Sequence, residues 1–386
     1  MIWLVIGLIL LIGGAEYFSL IRLPQFVDAE CRLLTRTAEP GRPFRLQTVF
    51  RNHSWLPVTL LVVTERIPPA AVLMSPGADG SVREQTEEER TPDSRTELDA
   101  TGARLSYKTW LMPRQQLTKE LLFTISRRGC YVFRGTSLFV GDFAGLKGSV
   151  RLFDRHEEIV IYPAPLKSEE LDSILGGYLG EIPVRRFLLE DPVLTMGLSE
   201  YTGREPMRSI NWKQTARSLQ TMVNLYDHTT DFSAAVILNL GYTSRYETDQ
   251  ALLESTLSLA RGVIEALERR RIRYSFLSNM LTAGSIGEWQ YVPEGLGTAH
   301  MSGILEGLGR ATLDISETPG RLLERAQQIA GGNRAYILIT PEGGEKDKDP
   351  EGYMEELKTG VEQIRIRSGQ PVLVLAAGEG GIRRWS

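Results

Sequence analysis

Residues 199 to 217, SEYTGREPMRSINWKQTAR, bring together Tyr201, Arg208, Ile210, Trp212 and Arg217, with Arg204 and Lys213 between them. Guanidinium groups form forked hydrogen bonds, so Arg208 and Arg217 could hold an anion or an acidic partner. A second reading is a clamp between domains. Ile210 and Trp212 share a face at strand spacing, and the arginines would cap carbonyls or pair with acids, their stems buried. The clamp is the favoured reading, and it expects Trp212 to be buried. Catalysis fits less well, because no Ser or Cys stands beside a His in this stretch and His228 lies eleven residues beyond Arg217. No catalytic residue is assigned, and a non-enzyme is expected.

The rest of the chain narrows the chemistry further. Only Cys31 and Cys130 occur, far apart, and the four histidines (His53, His156, His228, His300) show no HExxH spacing. A disulfide framework and a cysteine- or zincin-type zinc site are excluded. No GxxxxGK[ST] or strand-linked GxGxxG is present, so no nucleotide and no other cofactor is expected. A net charge of −4 argues against nucleic acid, which calls for a strongly basic face.

Several elements must position the opening stretch. MIWLVIGLILLIGGAEYFSLI carries no Lys or Arg and one acid, Glu16. Its length matches the ~20 apolar residues of a membrane helix, so residues 1–22 are expected to be an anchor. Arg22, Arg32 and Arg36 follow it, and by the positive-inside rule a single-pass membrane protein with its bulk in the cytoplasm is expected. Residues 23–165 read as an antiparallel β-sandwich of short strands. The charged segment 75–102 is too poor in large apolar side chains to order itself and is expected to be a mobile loop. Residues 166–230 read as a linker containing the opening stretch. From 231 to 386 apolar strands such as SAAVILNL and AYILIT alternate with helices such as 249–270, which implies a mostly parallel, Rossmann-like α/β sheet. The expected fold class is therefore α+β multidomain.

With the elements in place, the opening stretch resembles the signature of the bacterial family called domain of unknown function fifty-eight, roughly Tyr-x-x-Gly-Asp-x-x-Arg-x-Ile-x-Trp-x-x-x-Ala-Arg. Tyr201, Arg208, Ile210, Trp212, Ala216 and Arg217 stand at the matching offsets, while Arg204 and Glu205 replace the Gly-Asp pair and Ser199 replaces the Arg two before the Tyr. Upstream, RRGCYVFRGTSLFVGDFAGL (127–146) is similar to the family's Arg-Gly-x-Tyr strand and Asp-Pro-Phe-Gly-Leu, with Phe143 and Ala144 altered. The resemblance implies a von Willebrand A-like C-terminal domain and a MoxR-type AAA+ ATPase as protein partner, and it carries over no catalytic residue. Von Willebrand A domains can hold a divalent cation on oxygen ligands. Here the matching positions are Asn239, Gly241 and Thr243, then Thr340, Pro341 and Glu342. A neutral amide, a glycine and a proline leave that site degenerate, with Asp249 or Glu342 as the groups that could compensate, and no metal is expected. A membrane-anchored, cytoplasm-facing adaptor that engages the ATPase is the leading expectation. A hydrolase with a site around residues 200–217 and a metal-dependent adhesion module are the alternatives.

Overall fold

In the computed structural model, residues 2–76, 82–84, 94–99, 102–142, 147–166, 168–181, 190–201, 207, 210–218, 220–228, 232–241, 247–284, 288–329, 334–342, 350–378 and 381–385 are described. They form two compact units. Met1–Pro165, Thr282–Ile286 and Leu305–Thr312 make the first; Leu166–Leu281, Gly287–Ile304 and Leu313–Ser386 make the second.

The first unit begins with helix α1 (Ile2–Ile21) and a 3-10 turn (Leu23–Phe26). Strands β1 (Val27–Leu33), β2 (Thr37–Ala38), β3 (Phe44–Asn52), β4 (Val58–Ile67) and β5 (Val72–Pro76) follow. Next come β6 (Val82–Glu84), β7 (Ser94–Asp99), β8 (Gly102–Leu111), β9 (Gln116–Thr124), β10 (Gly129–Gly141) and β11 (Gly148–Ile161). They build a five-stranded sheet, β1-β3-β9-β5-β6, and a six-stranded sheet, β2-β11-β10-β4-β8-β7. Period-two alternation aims Phe44, Leu46 and Phe50 of β3 inward while their neighbours face out. Phe44, Phe123 and Phe133 meet with ring centroids 5.6–6.3 Å apart, the separation at which aromatic pairs add to burial. The segment expected to be a loop contributes β6 and β7, which pair with β5 and β8. Backbone pairing to a neighbouring strand needs no apolar side chain, so polar composition misled there. The rest of 75–102 lies outside the described residues, apart from the ends of β5 and β8.

One acid is buried in this sandwich. Glu65 is 2% exposed, and its Oε1 accepts from Thr48 Oγ1 at 2.8 Å and from Tyr107 OH at 2.9 Å. Burial outweighs these hydrogen bonds and holds the carboxyl above its usual range. Lys119 Nζ lies 3.8 Å from the Tyr107 ring centroid, a cation–π contact, and burial lowers its ammonium.

From residue 166 onward the elements are α2 (Glu169–Glu181), β12 (Glu190–Glu200), α3 (Trp212–Ser218), β13 (Met222–His228), β14 (Ser233–Leu238) and α4 (Glu247–Arg269). They continue with β15 (Arg273–Ser278), β16 (Met280–Thr282), β17 (Tyr291–Gly295), α5 (Thr298–Arg310), β18 (Ala311–Ile315) and α6 (Pro319–Gln328). The chain ends with β19 (Arg334–Pro341), α7 (Pro350–Ser368), β20 (Val372–Gly378) and β21 (Gly381–Trp385). The second unit's main sheet runs β17-β15-β14-β19-β20-β21. Every residue of β14 is buried, as a strand covered on both faces requires. α4 places Leu253, Leu257, Ala260, Ile264 and Leu267 on its buried side.

The expected fold class is corrected on three points. Strand outweighs helix, 45% against 33% of the described residues, so β-sheet is the larger component of the described structure. The sheet orders are mixed: β2 runs parallel to β11 in the sandwich, and β17 and β21 run antiparallel at the edges of the second unit's sheet. A short connection accounts for β21, which turns back on β20 between Gly378 and Gly381, since a parallel return needs a crossover of a dozen residues or more. Third, no helix among the described residues is long and apolar enough to cross a membrane. α1 interrupts its large apolar side chains with Gly7, Gly13 and Gly14 and carries one acid, Glu16. The expected span, and the single-pass cytoplasm-facing membrane placement built on it, both fall.

Candidate interaction surface

The stretch from Tyr201 to Arg217 folds as a ribbon with a short helix. β12 and β13 pair antiparallel from Glu200↔Met222 inward. Tyr201 N–H donates to Thr221 O at 2.8 Å, and Ile210 bridges Val223. Asn211 then starts α3: its side-chain Oδ1 accepts from Gln214 N–H at 3.1 Å, while its own N–H donates to Met222 O at 2.8 Å. Asn is among the best residues for this N-terminal position because its side chain satisfies an orphan amide. Thr215 Oγ1 accepts from Met222 N–H at 3.0 Å and ties the helix to β13.

This geometry separates two residues that the sequence places on one face. Ile210 is 8% exposed and rests beside Val223, itself 1% exposed. Trp212, the first residue of α3, is 65% exposed. Helix spacing replaces strand spacing at Asn211, so the two side chains diverge. A clamp built on a buried Trp212 does not fit this arrangement. Met207 is 71% exposed, Lys213 and Arg217 are exposed, and Tyr201 is half-buried. Arg208 lies outside the described residues.

Another arginine, Arg128, caps carbonyls among the described residues. In the first unit, Arg128 Nη1 donates to Leu308 O, Gly309 O and Ala311 O at 3.1, 3.3 and 2.7 Å. Two carbonyls in the last turn of α5 and the carbonyl of the first residue of β18 are thereby bonded. Gly129 follows with φ +152°, and a Cβ there would meet the Tyr131 ring at 3.2 Å. The Arg-Gly-x-Tyr motif was legible in the sequence, but its capping role was not, because the carbonyls lie about 180 residues away in the chain.

At the carboxyl ends of the parallel strands, the structure gathers Asn239, Gly241 and Thr340 with Asn279, a residue the sequence did not single out. Asn239 Oδ1 accepts from Asn279 Nδ2 at 2.8 Å and Gly241 N–H at 2.9 Å, and its Nδ2 donates to Thr340 Oγ1 at 3.0 Å. Asn279 Oδ1 accepts from Leu240 N–H at 2.8 Å. All three polar side chains are fully buried. Both lone pairs of the Asn239 carbonyl are engaged, so this amide cannot ligate a cation without breaking the network. Glu342, the acid that could have compensated, is paired with Arg383. Thr243 lies outside the described residues, as does the side chain of Asp249. Among the described residues no three His, Cys, Asp or Glu side chains cluster as metal ligands.

No family model matches the chain. No curated protein matches it. Among solved structures it is similar to a type II cohesin domain from the cellulosome of Acetivibrio cellulolyticus, at 14% identity over 34% of this chain and 94% of that one, TM-score 0.25. A cohesin module from a family 33 glycoside hydrolase of Clostridium perfringens matches at 11% identity, 35% and 96% coverage and TM-score 0.25. AvmM, which catalyses macrocyclization in alchivemycin A biosynthesis, matches at 11% identity, 37% and 93% coverage and TM-score 0.24. Likeness at this level bears on no residue, partner or activity of this chain.

Proposed function

We propose that the protein is an adaptor that binds a protein partner through the ribbon and helix of residues 201–223. The observation that carries this reading is Trp212, 65% exposed on a helix whose adjoining residue Ile210 is buried. Tryptophan is enriched at binding hot spots because it covers a large area at low entropic cost. Helix α3 also carries Lys213 and Arg217 with no acid of its own, so the partner surface is acidic around an apolar socket. The family resemblance of the stretch supports a MoxR-type AAA+ ATPase as that partner. Hydrogen exchange of the full chain, with and without the purified ATPase, tests the reading. Protection confined to 207–223 on mixing supports it. Unchanged exchange there, with protection elsewhere or nowhere, overturns it.

A further inference from the structure

The outer face of the six-stranded sheet carries a cavity of about 380 Å³ lined by Arg66, Arg104 and Arg134 together with Thr64, Ser137 and Asp154. Register explains why these residues meet. Arg66 and Arg104 are direct partners across β4 and β8. One row away, Ser137 pairs with Thr64 and Thr64 with Ser106, and the Thr64 and Ser106 hydroxyls are 3.0 Å apart. A row of hydroxyls therefore lies beside a row of guanidinium groups. Arg134 arrives from β10 just before an irregularity in its pairing with β11, at Gly135, whose φ is +66°. A Cβ on Gly135 would lie 2.5 Å from Phe153 O, so the bend is fixed by close backbone approach. Bulges of this kind re-aim a neighbouring side chain and recur beside binding sites.

Like charges placed directly opposite in a sheet destabilise it. Among the described residues neither Arg66 nor Arg134 makes an ion pair that offsets this. Arg104 has Glu97 as its register partner on β7, and Asp154 is highly exposed beside His156. Among the described lining residues, three guanidinium groups face one acid, Asp154. Concavity, forked donors and adjacent hydroxyls are the features that recognise a tetrahedral oxyanion. A polyanion is disfavoured by the small cavity and by a chain whose net charge is −4.

We infer that this face binds a compact dianion of the phosphomonoester class, held by Arg66, Arg104 and Arg134 with hydroxyl donors from Thr64 and Ser137. The site belongs to the first unit and does not depend on the adaptor reading. Titration calorimetry of the full chain at low ionic strength tests it, with inorganic phosphate, O-phosphoserine and unmodified serine as probes. The two phosphate-bearing probes should bind with one-to-one saturation, and serine should not. Tighter binding of O-phosphoserine assigns the site to a phosphorylated side chain; tighter binding of phosphate assigns it to the free ion. Arg66→Ala and Arg134→Ala should each weaken binding by about tenfold or more, and their melting temperatures should no longer rise with phosphate. Arg134→Lys keeps the charge without the fork, so it should bind less tightly than wild type but better than Arg134→Ala. It decides the matter should an alanine variant lose structure. No saturable heat up to about 10 mM of either phosphate probe, a regime weaker than any specific recognition, would overturn the inference. Wild-type affinity in both alanine variants would overturn it as well.

Discussion

Glu65 shows how a single buried carboxyl sets a pH dependence. Its ordinary value is 4.5, and burial raises it in the folded chain. The folded state therefore retains a proton that the unfolded state releases. Its contribution to stability is fully present below 4.5 and is lost as pH rises through the folded value. Glu65→Gln keeps the shape and the hydrogen-bond acceptor without the charge. In denaturant unfolding, the variant should gain on wild type from pH 4.5 up to the folded value of Glu65 and hold level above it. A difference constant with pH throughout would show that Glu65 does not titrate between the two states. The cysteines behave in a related way. Burial, reinforced by the charge of Glu65 for Cys31 and by Glu158 for Cys130, pushes both thiols up to about 12. Since the thiolate is the reactive form, both should resist a thiol reagent at neutral pH in the native chain and react promptly once it is denatured. Fast native labelling of either would contradict their burial.

At the scale of elements, the strand ends of the second unit hold an amide network where a cation site was weighed. Asn239→Ala would strip partners from Gly241 N–H, Asn279 and Thr340 at once. A loss on the order of 1–3 kcal/mol for each group left unpaired is expected in equilibrium unfolding. Wild-type stability in that variant would mean the network contributes nothing. Because both lone pairs of the Asn239 carbonyl are engaged, millimolar Mg²⁺ or Mn²⁺ should leave the wild-type melting temperature unchanged. An EDTA-reversible rise of a few degrees would reveal a site elsewhere in the unit. Element positions were largely legible. The Asn-His-Ser turn separates β3 from β4, and the apolar run of β14 and the helical periodicity of α4 fall where composition puts them. What failed was anything that depends on pairing partners. The parallel pairing of β2 with β11 joins residues about 120 positions apart, and the antiparallel edges β17 and β21, with β6 and β7 inside a charged segment, depend on backbone pairing; side-chain periodicity encodes neither.

For the molecule as a whole, hydrophobic content misled at the N-terminus. Mean apolarity of twenty residues suggested a span, but no helix among the described residues is long and apolar enough to cross a membrane. The opening stretch was found by its residue types, and its place on a ribbon and helix was not. Side-chain direction at Trp212 depends on where strand spacing gives way to helix spacing, and Asn211 makes that switch through a cap that only the folded backbone reveals. Substitution of Trp212 is therefore the most direct measurement. A buried tryptophan cut to alanine costs on the order of 3–5 kcal/mol, whereas an exposed one changes stability by about half a kcal/mol or less. The Asn211 cap beside Trp212 is made by the Asn211 side chain and backbone amides that the substitution leaves in place. With Trp212→Ala in the full chain, denaturant unfolding should match wild type to within that smaller figure, while affinity for the AAA+ partner, measured by titration, should fall at least about tenfold. Ile210→Ala, which opens a cavity beside Val223, should show the reverse pattern, losing stability first. A large stability loss in Trp212→Ala with partner affinity unchanged would contradict the adaptor surface.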